Sequence, residues 1–206
     1  MYTDEHGRSM MEMFGVLVVM GLISVGGMAG FTKMQRQART NETVMQIKTM
    51  ASKLSALGAK TSSYSGLTQD SLKKLGIAPS EDMQNPFGGE ILVRPSKLLN
   101  TGNDEQAFVI VYTGLPQDVC IQLAGFDWTD VRSTNLLGVA VASGSEFVGD
   151  TQAISAIYQN CTGAANTQYA AGCVGSSSHP VPIDFNTAAA ACNCPAENCA
   201  LAVKYF

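Results

Sequence analysis

From Met13 to Phe31 the chain runs for nineteen residues, MFGVLVVMGLISVGGMAGF, without one charged side chain. At about 1.5 Å rise per residue, a helix of that length nearly spans a hydrocarbon core about 30 Å thick. The run therefore predicts a transmembrane segment at 13–31 rather than a helix buried in a globule. A cleaved secretory signal would want a basic n-region, a shorter apolar stretch and a small-residue cleavage site after it. Here the preceding residues, MYTDEHGR, are acidic more than basic, and the helical pattern continues beyond the run.

Past Phe31 the sequence turns polar but keeps good helix formers. Val44, Ile47, Ala51, Leu54 and Leu57 recur at spacings of three and four, so they share one helical face. No proline falls between Met10 and Ala78. Gly58 and the Ser-rich stretch after it supply a stop and a loop. The pattern predicts one helix over 8–58, about 75 Å long. Its first half is apolar all round, and its second half is amphipathic and needs a sheet to lie on.

The remainder, 59–206, predicts a globular domain of mixed type. A short helix is expected from Thr68 to Leu75, ending at Gly76. Asn85 to Gly89 reads as a turn leading into a strand at Glu90–Arg94, with a second turn at Asn100–Asp104. Ala107–Tyr112 is the clearest strand, and the two strands form an antiparallel hairpin suited to receive the amphipathic helix face. A helix is expected at Leu115–Leu123 with Pro116 in its first turn, and a strand around Leu137–Ala142. Asp150 is expected to cap a helix carrying Ala153, Ile154, Ile157 and Tyr158, and Leu201–Phe206 is a final strand tied in by Cys199. The fold class is α+β: a long N-terminal helix packed on an antiparallel sheet, with a disulfide-stapled C-terminal region.

All six cysteines, Cys120, Cys161, Cys173, Cys192, Cys194 and Cys199, lie in the C-terminal half. An even count in a Gly/Ala/Ser-rich region reads as a disulfide framework formed in an oxidising compartment. The Cys-x-Cys-x4-Cys spacing fits no common zinc pattern, and the chain has two histidines, His6 and His179; no metal ligand set is expected. Cys192 and Cys194 are too close to pair with each other. They are expected to staple the C-terminal segment to Cys120, Cys161 or Cys173, with connectivity open.

The net charge of −4 and dispersed basic residues argue against a nucleic-acid footprint. Nothing supports catalysis: there is no Ser/His/Asp set in a credible context, no phosphate-cradling glycine loop and no metal cluster, so no catalytic residue or cofactor is expected. Gly88-Gly89 is turn chemistry, His179 a loop histidine, and Phe126 and Trp128 are packing residues.

Glu12 stands apart. It sits at the edge of the apolar run between Met10, Met11, Met13 and Phe14, where a carboxylate is costly to desolvate and calls for a cationic partner. Alternatively it lies among headgroups as an acid favoured by the helix dipole. The string Gly7-Arg8-Ser9-Met10-Met11-Glu12-Met13, abutting the apolar run, resembles the type IV pilin and pseudopilin signature. In that family a prepilin peptidase cuts after a leader glycine, and a glutamate stands fifth in the mature chain. Gly7 would end a leader at 1–7, Arg8 would become the N-terminus, and Glu12 is fifth. The chain length, the Asn-Pro-Phe-Gly-Gly turn before a strand and the helix bearing Cys120 resemble the type IVb branch in particular.

The resemblance implies a structural subunit of a type IV pilus-like filament that partners with copies of itself, with prepilin peptidase, with inner-membrane assembly machinery and with membrane lipid before assembly. N-methylation of the new terminus is a further implied step. Glu12 would accept the α-ammonium charge of Arg8 from a neighbouring subunit and act as a register key. The implied location is the inner membrane by a single helix, then an extracellular pilus. A minor pilin or type II secretion pseudopilin, and a membrane-anchored extracytoplasmic binding protein, stay open as alternatives. Lys33, Arg36 and Arg39 follow the apolar run, and counting Lys and Arg alone would place that side in the cytoplasm. The cysteines favour an oxidising exterior, and that is the orientation expected.

Overall fold

The computed structural model describes residues 8–96, 105–128, 136–143, 157–159, 182–194 and 198–206, with backbone alone at 8–9, 23–29, 142–143 and 157–159. The first element, α1, is a single helix from Arg8 to Thr61. It passes through Gly58 instead of stopping there. A Cβ at Gly58 would overlap the ring and hydroxyl of Tyr64, so this glycine serves close packing inside the last turns. The left-handed residue that ends the helix is Ser62, at φ 56°, and its N–H donates to the Gly58 carbonyl at 2.8 Å.

The chain divides into two units, residues 1–41 and 42–206. In the second, the final part of α1 turns its apolar face into the core. Ile47, Met50, Ala51 and Leu54 are buried, with Val44 and Leu57 half-buried beside them. Burial of Thr43 and Met50 widens that face beyond the five positions expected from spacing. Helix α2 (Gln69–Lys74) starts on a capping box between Thr68 and Ser71 and buries Leu72. It stops at Gly76, φ +63°, whose carbonyl accepts from Lys53 Nζ at 2.8 Å.

Five antiparallel strands form the sheet among the described residues: β1 (Ile91–Ser96), β2 (Ala107–Leu115), β3 (Leu136–Ser143), β4 (Ile157–Gln159) and β5 (Cys199–Tyr205). Their order is β1-β2-β5-β3-β4. The β1–β2 pairing sets Ile91 opposite Tyr112 and Val93 opposite Ile110. β5 occupies the middle, with Val203 opposite both Ile110 of β2 and Val139 of β3. Strand alternation then sorts the side chains. Phe108, Ile110, Tyr112, Leu201, Val203 and Tyr205 join the α1 side of the core. On the opposite face Val109, Val111, Ala140, Ala200 and Ala202 form a second, smaller cluster. Proline at position 95 is tolerated because β1 is an edge strand.

Aromatic rings knit helix, loop and sheet. Tyr64 meets Phe108 edge-on at 4.9 Å, and Phe108 lies 5.8 Å from Tyr205. Trp128 is fully buried, its indole N–H donating to the Leu123 carbonyl at 2.9 Å. Phe126 packs on it with ring centroids 4.8 Å apart, and Lys48 Nζ lies over the Phe126 ring, 4.9 Å from its centroid. Burial pushes the hydroxyls of Tyr112 and Tyr205 well above the ordinary tyrosine range; the Glu42 carboxylate adds to the effect at Tyr112.

The turn before β1 is held from its side. The Asn85 carboxamide accepts from the N–H groups of Phe87 and Gly89 and donates to the Thr113 carbonyl at 2.7 Å. Gly89 is required because a Cβ would run into that same carbonyl. Helix α3 (Gln117–Ala124) begins one residue after Pro116, which is its N-cap. Leu115, expected in that helix, is instead the last residue of β2.

Two further expectations are corrected. Ile157 and Tyr158, assigned from sequence to a helix capped by Asp150, lie in β4 opposite Ala140 and Val139. A β-branched and an aromatic residue gain more from the open edge of β3 than from a short helix. The rest of that segment, like the Asn100–Asp104 turn, lies outside the described residues. A helix not foreseen, α4 (Phe185–Ala191), is capped by Asp184, whose carboxylate accepts from the N–H groups of Asn186 and Thr187. The Thr187 hydroxyl and these amides hold the Asp184 carboxyl below its ordinary range.

Disulfides fasten this C-terminal region. Cys120 of α3 bonds Cys192 at the end of α4, with Cα atoms 5.9 Å apart. Cys194, expected to reach one of the earlier cysteines, instead bonds Cys199 at the start of β5, Cα–Cα 5.3 Å. A separation of 5 residues suffices to bring those two together. Cys161 and Cys173 lie outside the described residues.

Candidate functional site: the N-terminal half of the long helix

In the first unit, α1 begins at Arg8 and reaches Glu12 one turn later, about 6 Å along the axis. Gly7 lies outside the described residues. Glu12 is exposed, and so are the apolar side chains around it. Met11 is 85% exposed, Phe14 71% and Leu17 62%. Val16, Val18, Val19, Met20 and Leu22 are exposed as well. At roughly 1.5–3 kcal/mol per large apolar side chain covered, this stretch forgoes more than 10 kcal/mol that a lipid or protein surface would supply. Gly15 and Gly21 have open space where a Cβ would be, so neither is needed for packing within the chain.

Among the described residues no helix is long and apolar enough to cross a membrane. The side chains at 23–29, which fall inside the uncharged run, are not among them. Also among the described residues, no group of three His, Cys, Asp or Glu is placed to hold a metal ion. The arrangement offers no acid–base pair, only a bare apolar rod with a carboxylate near its start.

Sequence reasoning ended the apolar character at Phe31. The structure adds an exposed Met34, 73% exposed, about one turn beyond Phe31 at 62%. The i, i+3 spacing of Phe31 and Met34 carried that signal, but a count of consecutive uncharged residues does not register it.

Comparison with known proteins places the chain among pilus-related sequences. A family described as PilS N terminal matches residues 37–171. The major structural subunit of bundle-forming pilus from Escherichia coli O127:H6 (strain E2348/69 / EPEC) is 24% identical over 127 residues. Its counterpart from Escherichia coli O111:H- gives the same figures. The aligned part is 58% of this chain and 64% of each relative, so less than two thirds of their length is spanned. The crystal structure of a type IV b pilin from Salmonella typhi covers 77% of this chain and 95% of its own, at 15% identity and a TM-score of 0.42. With well over half of its residues matched by that family, the chain belongs to the PilS N-terminal family.

Proposed function

We propose that the chain is a structural subunit of a type IV pilus-like filament, polymerised through the N-terminal half of α1. Prepilin peptidase cuts after Gly7, and residues 13–31 hold the subunit in the inner membrane until the assembly machinery extracts it. The domain at 42–206 stands on the exported side, where its cysteines oxidise. In the filament, Glu12 accepts the α-ammonium of Arg8 from a neighbouring copy, and a subunit out of register leaves both charges unpaired in apolar surroundings. The observation that carries the reading is the bare apolar helix directly after Gly7, Arg8 and Glu12. The names of the bundle-forming pilus relatives support it. The role is structural rather than catalytic.

Shearing filaments from cells that express the chain, followed by mass spectrometry, tests this. Filaments made mainly of this chain, with Arg8 as its first residue, are expected. Recovery from the membrane fraction alone would sink the reading of a major subunit and favour a minor pilin, a pseudopilin or an anchored binding protein.

A further inference from the structure

Lys33, Arg36 and Arg39 are all exposed on α1 immediately past the apolar run. Steps of three residues at about 100° per residue keep the three within roughly 120° of the helix circumference. Phe31, Met34 and Ala38 share a narrower arc on the opposite side, and all three are exposed. Phe31 and Met34 are 62% and 73% exposed. The helix at 31–39 is thus a short amphipathic segment with a triply cationic face and an apolar face. The chain as a whole carries −4, so this is a local concentration of positive charge rather than part of a basic surface.

We propose that residues 31–39 form a collar that binds the phosphates of anionic phospholipids in the exported-side leaflet. The proposal rests on the anchoring described above. From Phe31 to Arg39 the helix climbs about 12 Å, and a headgroup layer is roughly 5–8 Å thick on each side of the hydrocarbon. Long Lys and Arg stems let their charged heads reach back into that layer, so all three cations fall within range of phosphate. A membrane interface satisfies both faces at once, taking Phe31 and Met34 into the acyl boundary and the cations into the headgroups. An acidic protein surface would match the cations but leave the apolar arc in water. The collar also gives a reason for Lys and Arg to stand on the side of the membrane where they are ordinarily under-represented. It would fix the depth of the parked subunit and make its extraction depend on salt and lipid composition.

The test uses the full chain, purified in detergent and offered equal amounts of phosphatidylcholine vesicles and vesicles that also contain phosphatidylglycerol. The two populations are separated by density after detergent removal. At about fivefold per cation near an anionic surface, the native chain is expected to favour the phosphatidylglycerol vesicles by about a hundredfold at low salt. High salt should shrink that preference. The Lys33→Gln/Arg36→Gln/Arg39→Gln variant should distribute evenly, whereas Lys60→Gln/Lys73→Gln should keep the native preference. An even distribution of the native chain, or a preference untouched by the triple substitution, overturns the proposal. A triple variant that keeps its lipid preference but no longer makes filaments would also overturn it and assign the collar to contacts between copies. Recovery of the chain from neither vesicle population would overturn the anchoring itself.

Discussion

Residues 8–41 and 42–206 draw on the same helix in opposite ways. In the domain, Ile47 and Leu54 are wholly buried against the sheet, whereas Leu17 and Phe14 of the N-terminal segment face outward along with almost every apolar neighbour. Most of the domain's described apolar side chains are covered internally, and aromatic contacts and disulfides fix them there. The segment has no core of its own among its described residues. The difference teaches that one secondary structure can be self-sufficient along one stretch and dependent on other molecules along the next. What separates the two stretches is what covers their side chains, because tertiary packing rather than propensity supplies most helical stability.

If this contrast holds, changes in the domain should act on subunit stability and changes in the segment should not. The largest effect is expected from Cys120→Ala/Cys192→Ala. Opening a loop closed over a separation of 72 residues should destabilise the domain by about 4 kcal/mol, against about 2 kcal/mol for the short Cys194–Cys199 loop. Denaturant unfolding of the two double variants, followed by Trp128 fluorescence, would read both. Equal losses would break the view that the long bridge carries the C-terminal region.

Next comes a matched pair within α1. Leu54→Ala should cost about 3 kcal/mol through the cavity it leaves, while Leu17→Ala should leave the melting temperature of the detergent-solubilised subunit unchanged. A comparable loss from Leu17→Ala would mean that the segment is packed within its own chain. A smaller effect is expected with alkali. The folded-state pKa values of Tyr112 and Tyr205 lie above their unfolded ones, so the neutral hydroxyl is the form the fold prefers. The stability linked to these groups is therefore complete below the unfolded tyrosine pKa of about 10 and declines as pH rises past it. Thermal melts across that range should show Tyr205→Phe reducing the alkaline loss.

Much of the fold was legible because local signals and tertiary demands agree. The face built on Ile47, Ala51 and Leu54 was readable from its spacing, and β2 from its β-branched run. The same holds for α2, whose Thr68 and Gly76 mark both ends. Where sequence reasoning failed, a distant partner decided the outcome. Gly58 looked like a stop, but Tyr64 lies against it and the helix continues. Ile157 and Tyr158 looked helical by spacing, but the edge of β3 takes them into the sheet. The Cys194–Cys199 bond joins two close cysteines, a pairing that spacing alone does not announce. α4 was overlooked although Asp184 before an alanine run is an ordinary N-cap signal.

The candidate site rests on signals of a different kind. Gly7, Arg8 and Glu12 stand in a fixed order beside an uncharged run, and order and charge need no tertiary context. Exposure of the surrounding Met11, Phe14 and Leu17 is what the structure adds, and it turns a sequence motif into a surface that needs a partner.

The central claim is that this segment acts between copies while the domain folds by itself. Glu12→Ala tests it most directly, scored for sheared filaments and for the melting temperature of the purified subunit together. Loss of filaments with an unchanged melting temperature is the predicted result. Normal filaments from the variant, or filament loss that merely follows a destabilised domain, would contradict it.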